Sequence, residues 1–448
     1  MSTSPQLPQA NRRQFLKKSL LTATALVSAP AFAPPGILGQ NAPNSRIGVA
    51  FLGLGRQAYH ANLLPFLASP ETQVVALCDV DQWRLQQGLQ RVENHYSANR
   101  PSGYRGCLTT GDFRDVLARS DVDAVMISSP DHWHAVMAVA AAKAGKHVAL
   151  EKPISLSIRQ GRAIADAVQA NRCVFRTDTE VRSSKDFRQL RQIVRTGRIG
   201  QVQTVIAGVP EEQAPVPVQA PTPVPDELDY PMWLGPAPKA PYTEKRVHTP
   251  KNHGARPGWM LIRDYCDGMI CNWGTHLLDI VQWTLGTERT GPIQVEGKGT
   301  FHPASGLSGV LSAFEVDYAY ADGIRLHYRM AGRPFIRFEG TAGWVEAEWW
   351  KGVTASHPDI TQAPLEPDGF TSRQVNEKLD FIDGIAKGRP TLIPAETGHR
   401  TNSLCQLGLI AIETGEKLQW APGKERFANS EEANRRLERL LREPWSVG

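Results

Sequence analysis

The six cysteines of this 448-residue chain form no C-x-x-C pair and show no zinc-ligand spacing, which argues against a thiol-redox motif and a cysteine-based metal centre. Beyond the N-terminal leader, no run is long and apolar enough to span a bilayer. There is no internal repeat, and low complexity is confined to a proline-rich loop over residues 213–225. Net charge is only +5, and Arg12, Arg13, Lys17 and Lys18 supply four of those charges ahead of the first acid, Glu71. A mature chain so close to neutral offers no basic footprint for nucleic acid or an anionic membrane surface. An apolar fraction of 41% and a charged fraction of 21% are ordinary for a soluble globular protein, and the length predicts two domains.

The leader reads as an address. Asn11-Arg12-Arg13-Gln14-Phe15-Leu16-Lys17 resembles a twin-arginine export signal, followed by a short apolar core over 20–27 and an A-x-A site at Ala31-Phe32-Ala33. A signal peptide over 1–33, a Pro/Gly/Asn linker over 34–45 and a periplasmic or other extracytoplasmic location are expected. Twin-arginine export carries proteins that have already folded. Cys266 and Cys271 could pair in such a compartment, whereas Cys78 and Cys173 read as packing residues.

Residues 46–81 organise the rest. An apolar strand over 47–52 runs into Gly53-Leu54-Gly55-Arg56-Gln57-Ala58, the pattern G-x-G-x-x-A. A helix from residue 61 and a second apolar strand over 74–78 follow, ending in Asp79, 26 residues after Gly53. Gly53 permits the tight turn, Gly55 lets a pyrophosphate approach the backbone, and Ala58 allows close helix–strand packing. The helix N-terminus offers unpaired N–H groups to the phosphates. Asp79 can accept both hydrogen bonds from an adenosine ribose and repels a 2′-phosphate, which favours NAD over NADP.

Further β-α units continue the pattern: a strand over 123–127, Asp131 as N-cap of a helix over 134–144, a strand over 148–150, a helix over 157–170 and a strand over 173–175. They predict a doubly wound parallel sheet over 46–174 whose strand ends carry Asp79, Ser129, Glu151 and Lys152. After residue 200 a helix centred on 274–283 precedes strands over 293–297, 312–320, 324–330, 335–339 and 344–350, and helices over 374–387 and 396–417. The expected second domain, 175–448, is α+β with a mainly antiparallel open sheet.

Four stretches together resemble the Gfo/Idh/MocA family of sugar-linked oxidoreductases. They are the glycine turn with Asp79; Ser129-Pro130-Asp131-His132-Trp133-His134; Glu151-Lys152-Pro153; and Asn272-Trp273-Gly274-Thr275-His276-Leu277-Leu278-Asp279. Arg182-Ser183-Ser184 and Gly197-Arg198-Ile199-Gly200 also sit where the family has similar segments. The resemblance implies a C-terminal domain whose sheet mediates oligomerisation, as a dimer or tetramer, and a sugar or polyol substrate. It implies that Lys152 contacts the nicotinamide ribose and polarises the reacting oxygen, which an ammonium can do for a developing alkoxide. It makes His276 the general acid/base, a role imidazole suits because it titrates near neutrality. By the same resemblance the nucleotide is lined by Gly53, Gly55, Arg56, Gln57, Asp79, Ser129, Asp131, His132, His134, Glu151 and Lys152. Asn272 departs from the pattern: many dehydrogenases of the family carry Asp there, and Asn supplies neither charge nor a proton acceptor. Asp279, one turn past His276, orders the helix rather than reacts.

His132 and His134 form an H-x-H that could suggest a metal, but no third ligand is near and Lys152 would repel a cation, so no metal is expected. His248, His253, Arg256, Trp259, Arg263 and Tyr265 offer aromatic faces and polar forks that suit a sugar as well as they suit a plain surface loop. The leading expectation is NAD-dependent hydride transfer at a sugar or polyol hydroxyl. An NAD-dependent glycosidase is the alternative; the branch of the family that works that way lacks a lysine at the Lys152 position. A non-catalytic sugar- or nucleotide-binding protein, for which only Asn272 speaks, is the third.

Overall fold

Six consecutive uncharged residues, Ile47–Leu52, form β1 and are buried along its whole length. A strand apolar on both faces needs cover above and below, the situation of a parallel sheet between helices. In the computed structural model, which describes residues 46–98, 104–303, 305–365, 367, 369–370 and 372–448, β1 has that cover. The leader and linker expected over 1–45 lie outside the described residues. β1 pairs in parallel with β2 (Thr72–Cys78) and β4 (Ala124–Ile127). With β3 (Leu108–Thr110), β5 (His147–Glu151) and β6 (Phe175–Asp178) the sheet runs β3-β2-β1-β4-β5-β6, all strands parallel. Strand order reverses between β1 and β4, so a crevice opens beyond their carboxyl ends.

Alternation along β1 divides the core. Ala50 and Leu52 pack with helices Asp131–Lys143 and Ile158–Ala170 on one face. Ile47, Val49 and Phe51 pack with helix Gln82–Ala98 and with Phe381 and Ile382 of helix Glu377–Lys387 on the other. The chain thus returns near its end to cover the first sheet.

The second layer is a nine-stranded sheet. β7 (Val202–Val209) lies in its interior, parallel to β10 (Arg325–Met330) and antiparallel to β11 (Phe335–Gly340). β8 (Gln294–Phe301), β9 (Leu311–Ala319), β12 (Gly343–Glu348), β13 (Gly352–Ala355), β14 (Leu418–Ala421) and β15 (Arg426–Phe427) complete the order β13-β12-β11-β7-β10-β9-β8-β14-β15. All its pairings except β7 with β10 are antiparallel. Helices Lys185–Arg195, Gly274–Leu285 and Ala395–Thr414 contribute to one core with its buried side chains. The molecule is therefore a Rossmann sheet followed by an α+β layer with a mostly antiparallel sheet.

Several local expectations are corrected. β6 starts at Phe175 and runs to Asp178, past the boundary expected at 174. β7 was not anticipated as a strand. Asp131 is not an N-cap: the helix begins at Asp131 itself, after Pro130 at φ −61°, ψ 151°. Proline's fixed φ pre-sets the entry, and the aspartate enters the first turn. Cys266 and Cys271 are free, as are the other four cysteines, and Cys173 is only half-buried. Among the described residues no helix is long and apolar enough to cross a membrane.

Candidate active site

The turn after β1 makes the first wall. Gly53 sits at φ +92°, and a Cβ there would lie 2.7 Å from the Ser129 amide nitrogen, so the turn needs glycine. A Cβ on Gly55 would meet nothing within 4 Å, leaving an open approach to the backbone where a pyrophosphate would sit. Ala58 is fully buried under the turn. Arg56 and Gln57 are exposed at the cleft rim. Asp79 Oδ2 accepts from the Leu54 amide at 2.6 Å and Oδ1 from the Asp81 amide at 2.9 Å. Each oxygen therefore keeps one lone pair for a ribose hydroxyl, a tighter arrangement than an unengaged carboxylate. Burial raises the Asp79 pKa, while the nearby Arg84 guanidinium opposes the rise. These residues fit a dinucleotide.

The cleft they open has a volume of about 330 Å³. Gly53, Gly55, Arg56, Gln57, Asp79, Ser129, Asp131, His134, Glu151, Lys152, Asn272 and His276 all line it. The two predicted chemical groups meet from different layers. Lys152 follows β5, and its Nζ donates to Asn272 Oδ1 at 2.6 Å. Asn272 ends the short helix Met269–Asn272, and His276 sits in the first turn of the next helix, Gly274–Leu285. His276 Nδ1 shares a short hydrogen bond with Thr179 Oγ1. Burial, with Lys152 second, holds the imidazole well below its ordinary pKa, so it is neutral.

Glu151 Oε1 accepts from Asn62 Nδ2 at 2.8 Å, and the same amide donates to Ser128 Oγ at 3.0 Å. Burial, with Asp178 adding to it, pushes Glu151 up to about 8. Burial likewise pushes Asp131 up to about 7, against the pull of Lys152, and its Oδ2 has no hydrogen-bond partner among the described residues.

The two histidines of the H-x-H diverge. His134 stays in the cleft wall, with Nδ1 2.7 Å from Pro153 O and Nε2 2.9 Å from Ser129 O. Burial pushes it down to about 4, so the neutral ring donates to only one of them. His132 does not line the cleft: its Nε2 lies 3.0 Å from Trp233 O, and its ring packs 5.3 Å from Trp233 and 5.0 Å from Tyr265. No group of ligands that could hold a metal ion occurs among the described residues. His248, Arg256 and Trp259 reach the cleft, whereas His253 stacks 4.1 Å from Tyr59, and Arg263 pairs with Asp267 and Glu413 elsewhere. Asp279 is fully buried and takes a bidentate contact from Arg182 at 2.6 and 2.8 Å.

Sequence reading missed Thr179 and Trp273. Thr179 lies one residue beyond the end of β6, where ligand-facing residues of such sheets collect; reading that strand to Asp178 would have found it. Trp273 stands edge-on to His276 at 5.6 Å.

Residues 47–179 match the profile described as oxidoreductase family, NAD-binding Rossmann fold. Residues 214–447 match its companion, oxidoreductase family, C-terminal alpha/beta domain. A glycosyl hydrolase family 109 protein from Shewanella pealeana is 28% identical over 206 residues, 43% of this chain and 44% of that protein. One from Shewanella putrefaciens is 28% identical over 209 residues with the same coverage, so the chain spans less than half the length of these curated relatives. Among solved structures, an aldose-aldose oxidoreductase from Caulobacter crescentus superposes with a TM-score of 0.61 at 19% identity, over 84% of this chain and 99% of that one. A levoglucosan dehydrogenase crystallised with NADH and levoglucosan gives 0.57 at 16% identity, over 84% and 99%. At such identities the structural likeness establishes the fold.

Proposed function

The chain belongs to the Gfo/Idh/MocA oxidoreductase family, and from that premise we propose that it is an NAD-dependent enzyme oxidising a CH–OH group of a sugar or polyol. The dinucleotide would lie along Gly53, Gly55 and Asp79, and when bound it supplies the hydride acceptor. The chain's own residues deal with the proton. Lys152 Nζ, fixed by its 2.6 Å contact with Asn272, is placed to hydrogen-bond the reacting oxygen and favour its alkoxide form. His276 is neutral and tied at Nδ1 to Thr179, which leaves Nε2 to take the hydroxyl proton. His134 and Trp273 line the walls of the same cleft. The observation that carries this reading is one cleft that holds the glycine turn, the ammonium and the imidazole together.

A second reading is favoured by the family 109 glycosyl hydrolase relatives. An NAD-dependent glycosidase would use the same groups to remove the hydroxyl proton, but would then eliminate the aglycone and restore the sugar. Two signals separate the readings when NAD-loaded protein is given sugars and 4-nitrophenyl glycosides. Growth of absorbance at 340 nm supports the dehydrogenase, and release of nitrophenol without net NADH supports the glycosidase. Bound NAD with neither signal would sink both and leave a binding protein. The paired arginines of the leader support export, which N-terminal sequencing of a periplasmic fraction tests. Membership of the family supports homo-oligomerisation, which light scattering tests.

A further inference from the structure

Trp350 is 78% exposed, on the turn that joins β12 to β13. Its backbone lies at φ 65°, a conformation that suits glycine or asparagine and that a tryptophan adopts at a cost. The Lys351 amide closes the turn on Glu348 O at 3.0 Å. Two unfavourable features, an exposed indole and a left-handed backbone, coincide at one residue.

That indole is the outer member of an aromatic row. Its ring lies 6.1 Å from Trp273 at 79°, and Trp273 stands 5.6 Å from His276. Trp349 braces the row from behind, 5.3 Å from Trp273, 5.4 Å from His276, 5.7 Å from Trp350 and 5.5 Å from the buried Phe187. Trp273 lines the cleft, so the row leads outward from the proton acceptor into solvent.

We propose that Trp350, with the outer edge of Trp273, forms a second binding subsite for the ring attached to the sugar under attack. The substrate class is then a glycoside, either a disaccharide or an aryl glycoside, rather than a free monosaccharide. This rests on the sugar reading of the cleft. A pyranose presents a face of C–H groups, and an indole face offers matching apolar area and a negative quadrupole. Held rigidly by Trp349, the row loses little side-chain entropy when a ring stacks on it. A contact between copies of the chain fits less well. Trp350 is flanked by the Lys351–Glu348 ion pair at 2.6 Å, and charges are depleted from the cores of protein interfaces.

The test uses NAD-loaded protein with glucose and galactose on one side, and lactose, cellobiose and 4-nitrophenyl glycosides on the other. Trp350→Gly removes the ring and suits the backbone, and Trp350→Phe keeps a ring. The ratio of kcat/KM for two-ring over one-ring substrates is expected to fall about ten-fold in Trp350→Gly, mostly through KM, and to be largely kept in Trp350→Phe. An unchanged ratio overturns the proposal. If the wild type turns over none of these compounds, the sugar-oxidation reading fails separately, and titration of tryptophan fluorescence with lactose and cellobiose decides the subsite. Quenching that Trp350→Gly abolishes upholds it, and absent or unaltered quenching rejects it. A change in oligomer mass by light scattering with an unaltered ratio assigns the ring to an interface and also rejects it.

Discussion

His276 must be a base without becoming a stable cation. Burial and the Lys152 charge both disfavour its protonated form, and Thr179 fixes which nitrogen faces the cleft. Replacing His276 with Asn keeps a polar side chain of similar reach but removes the proton acceptor. A loss of about 10²–10⁴-fold in kcat is expected, with NAD affinity retained by calorimetry. Loss of NAD binding instead would mean that His276 shapes the cofactor site. Asn272 sets the electrostatics around it, because a neutral amide leaves the Lys152 charge uncompensated at that point. Asn272→Asp introduces an anion on the same helical stretch. An anion stabilises imidazolium, so the folded pKa of His276 rises and more of it is protonated at a given pH. The acid limb of the kcat/KM profile should therefore move to higher pH by about one unit, a shift read directly from a pH–rate series. A shift to lower pH, or none, would show that His276 is not the group that limits the acid side.

At the scale of elements, the helix Gly274–Leu285 is located by charge as much as by packing. Asp279 is fully buried against the equally enclosed Arg182, and Thr401 donates to the same carboxylate at 3.3 Å. Asp279→Ala leaves a buried guanidinium beside Glu288, the Leu392 carbonyl and the Trp283 ring, without the carboxylate that holds it at two points. Destabilisation of about 3–5 kcal/mol is expected, seen as a fall in the urea midpoint with an unchanged slope. The same logic explains what the sequence made legible. Strands that alternate or are wholly apolar, such as β1, β2, β9 and β12, could be read directly, and the motif residues followed from their ends. β6 reads only as a strand over 173–175, cut short because Arg176 and Asp178 look like loop residues. They are buried only because Asp380 and Lys378 pair with them from some 200 residues away. Thr179 was lost with that strand. β7 pairs only with β10 and β11, more than a hundred residues later, so no hairpin turn marks it. Trp350 gives no periodic signal at all; its exposure depends on a turn conformation that sequence does not reveal.

The whole molecule carries an unusual load of neutral buried imidazoles. His132 is pushed to about 3, His134 and His253 to about 4, and His147, His276 and His399 also lie below the ordinary value, with burial the leading cause in each. A depressed folded pKa means that stability is complete above the unfolded value near 6.5 and is lost as pH falls towards the folded one. Glu151 and Asp131 act in the opposite sense: raised to about 8 and about 7, they hold protons that the unfolded chain releases above roughly 4.5. Between about pH 4.5 and 6 these imidazoles leave more protons on the unfolded chain, an excess that Glu151, Asp131 and the likewise raised Asp79, Asp123 and Glu212 reduce. Each imidazole is worth about 1.4 kcal/mol per pH unit when fully buried, and less for the half-buried His147. The paired carboxylates Glu396 and Glu425, buried but held low by Arg162, Arg400 and His399, add to the loss from about pH 4.5 downwards, where the unfolded chain takes up protons that the folded one refuses. Unfolding free energy should therefore fall between pH 6.5 and 4.5, before carboxylate protonation dominates. Urea midpoints at half-unit pH steps measure this. A flat profile above pH 5 would mean that these imidazoles are not held neutral in the folded chain. The proton-accepting state assigned to His276 would lose its physical basis with them.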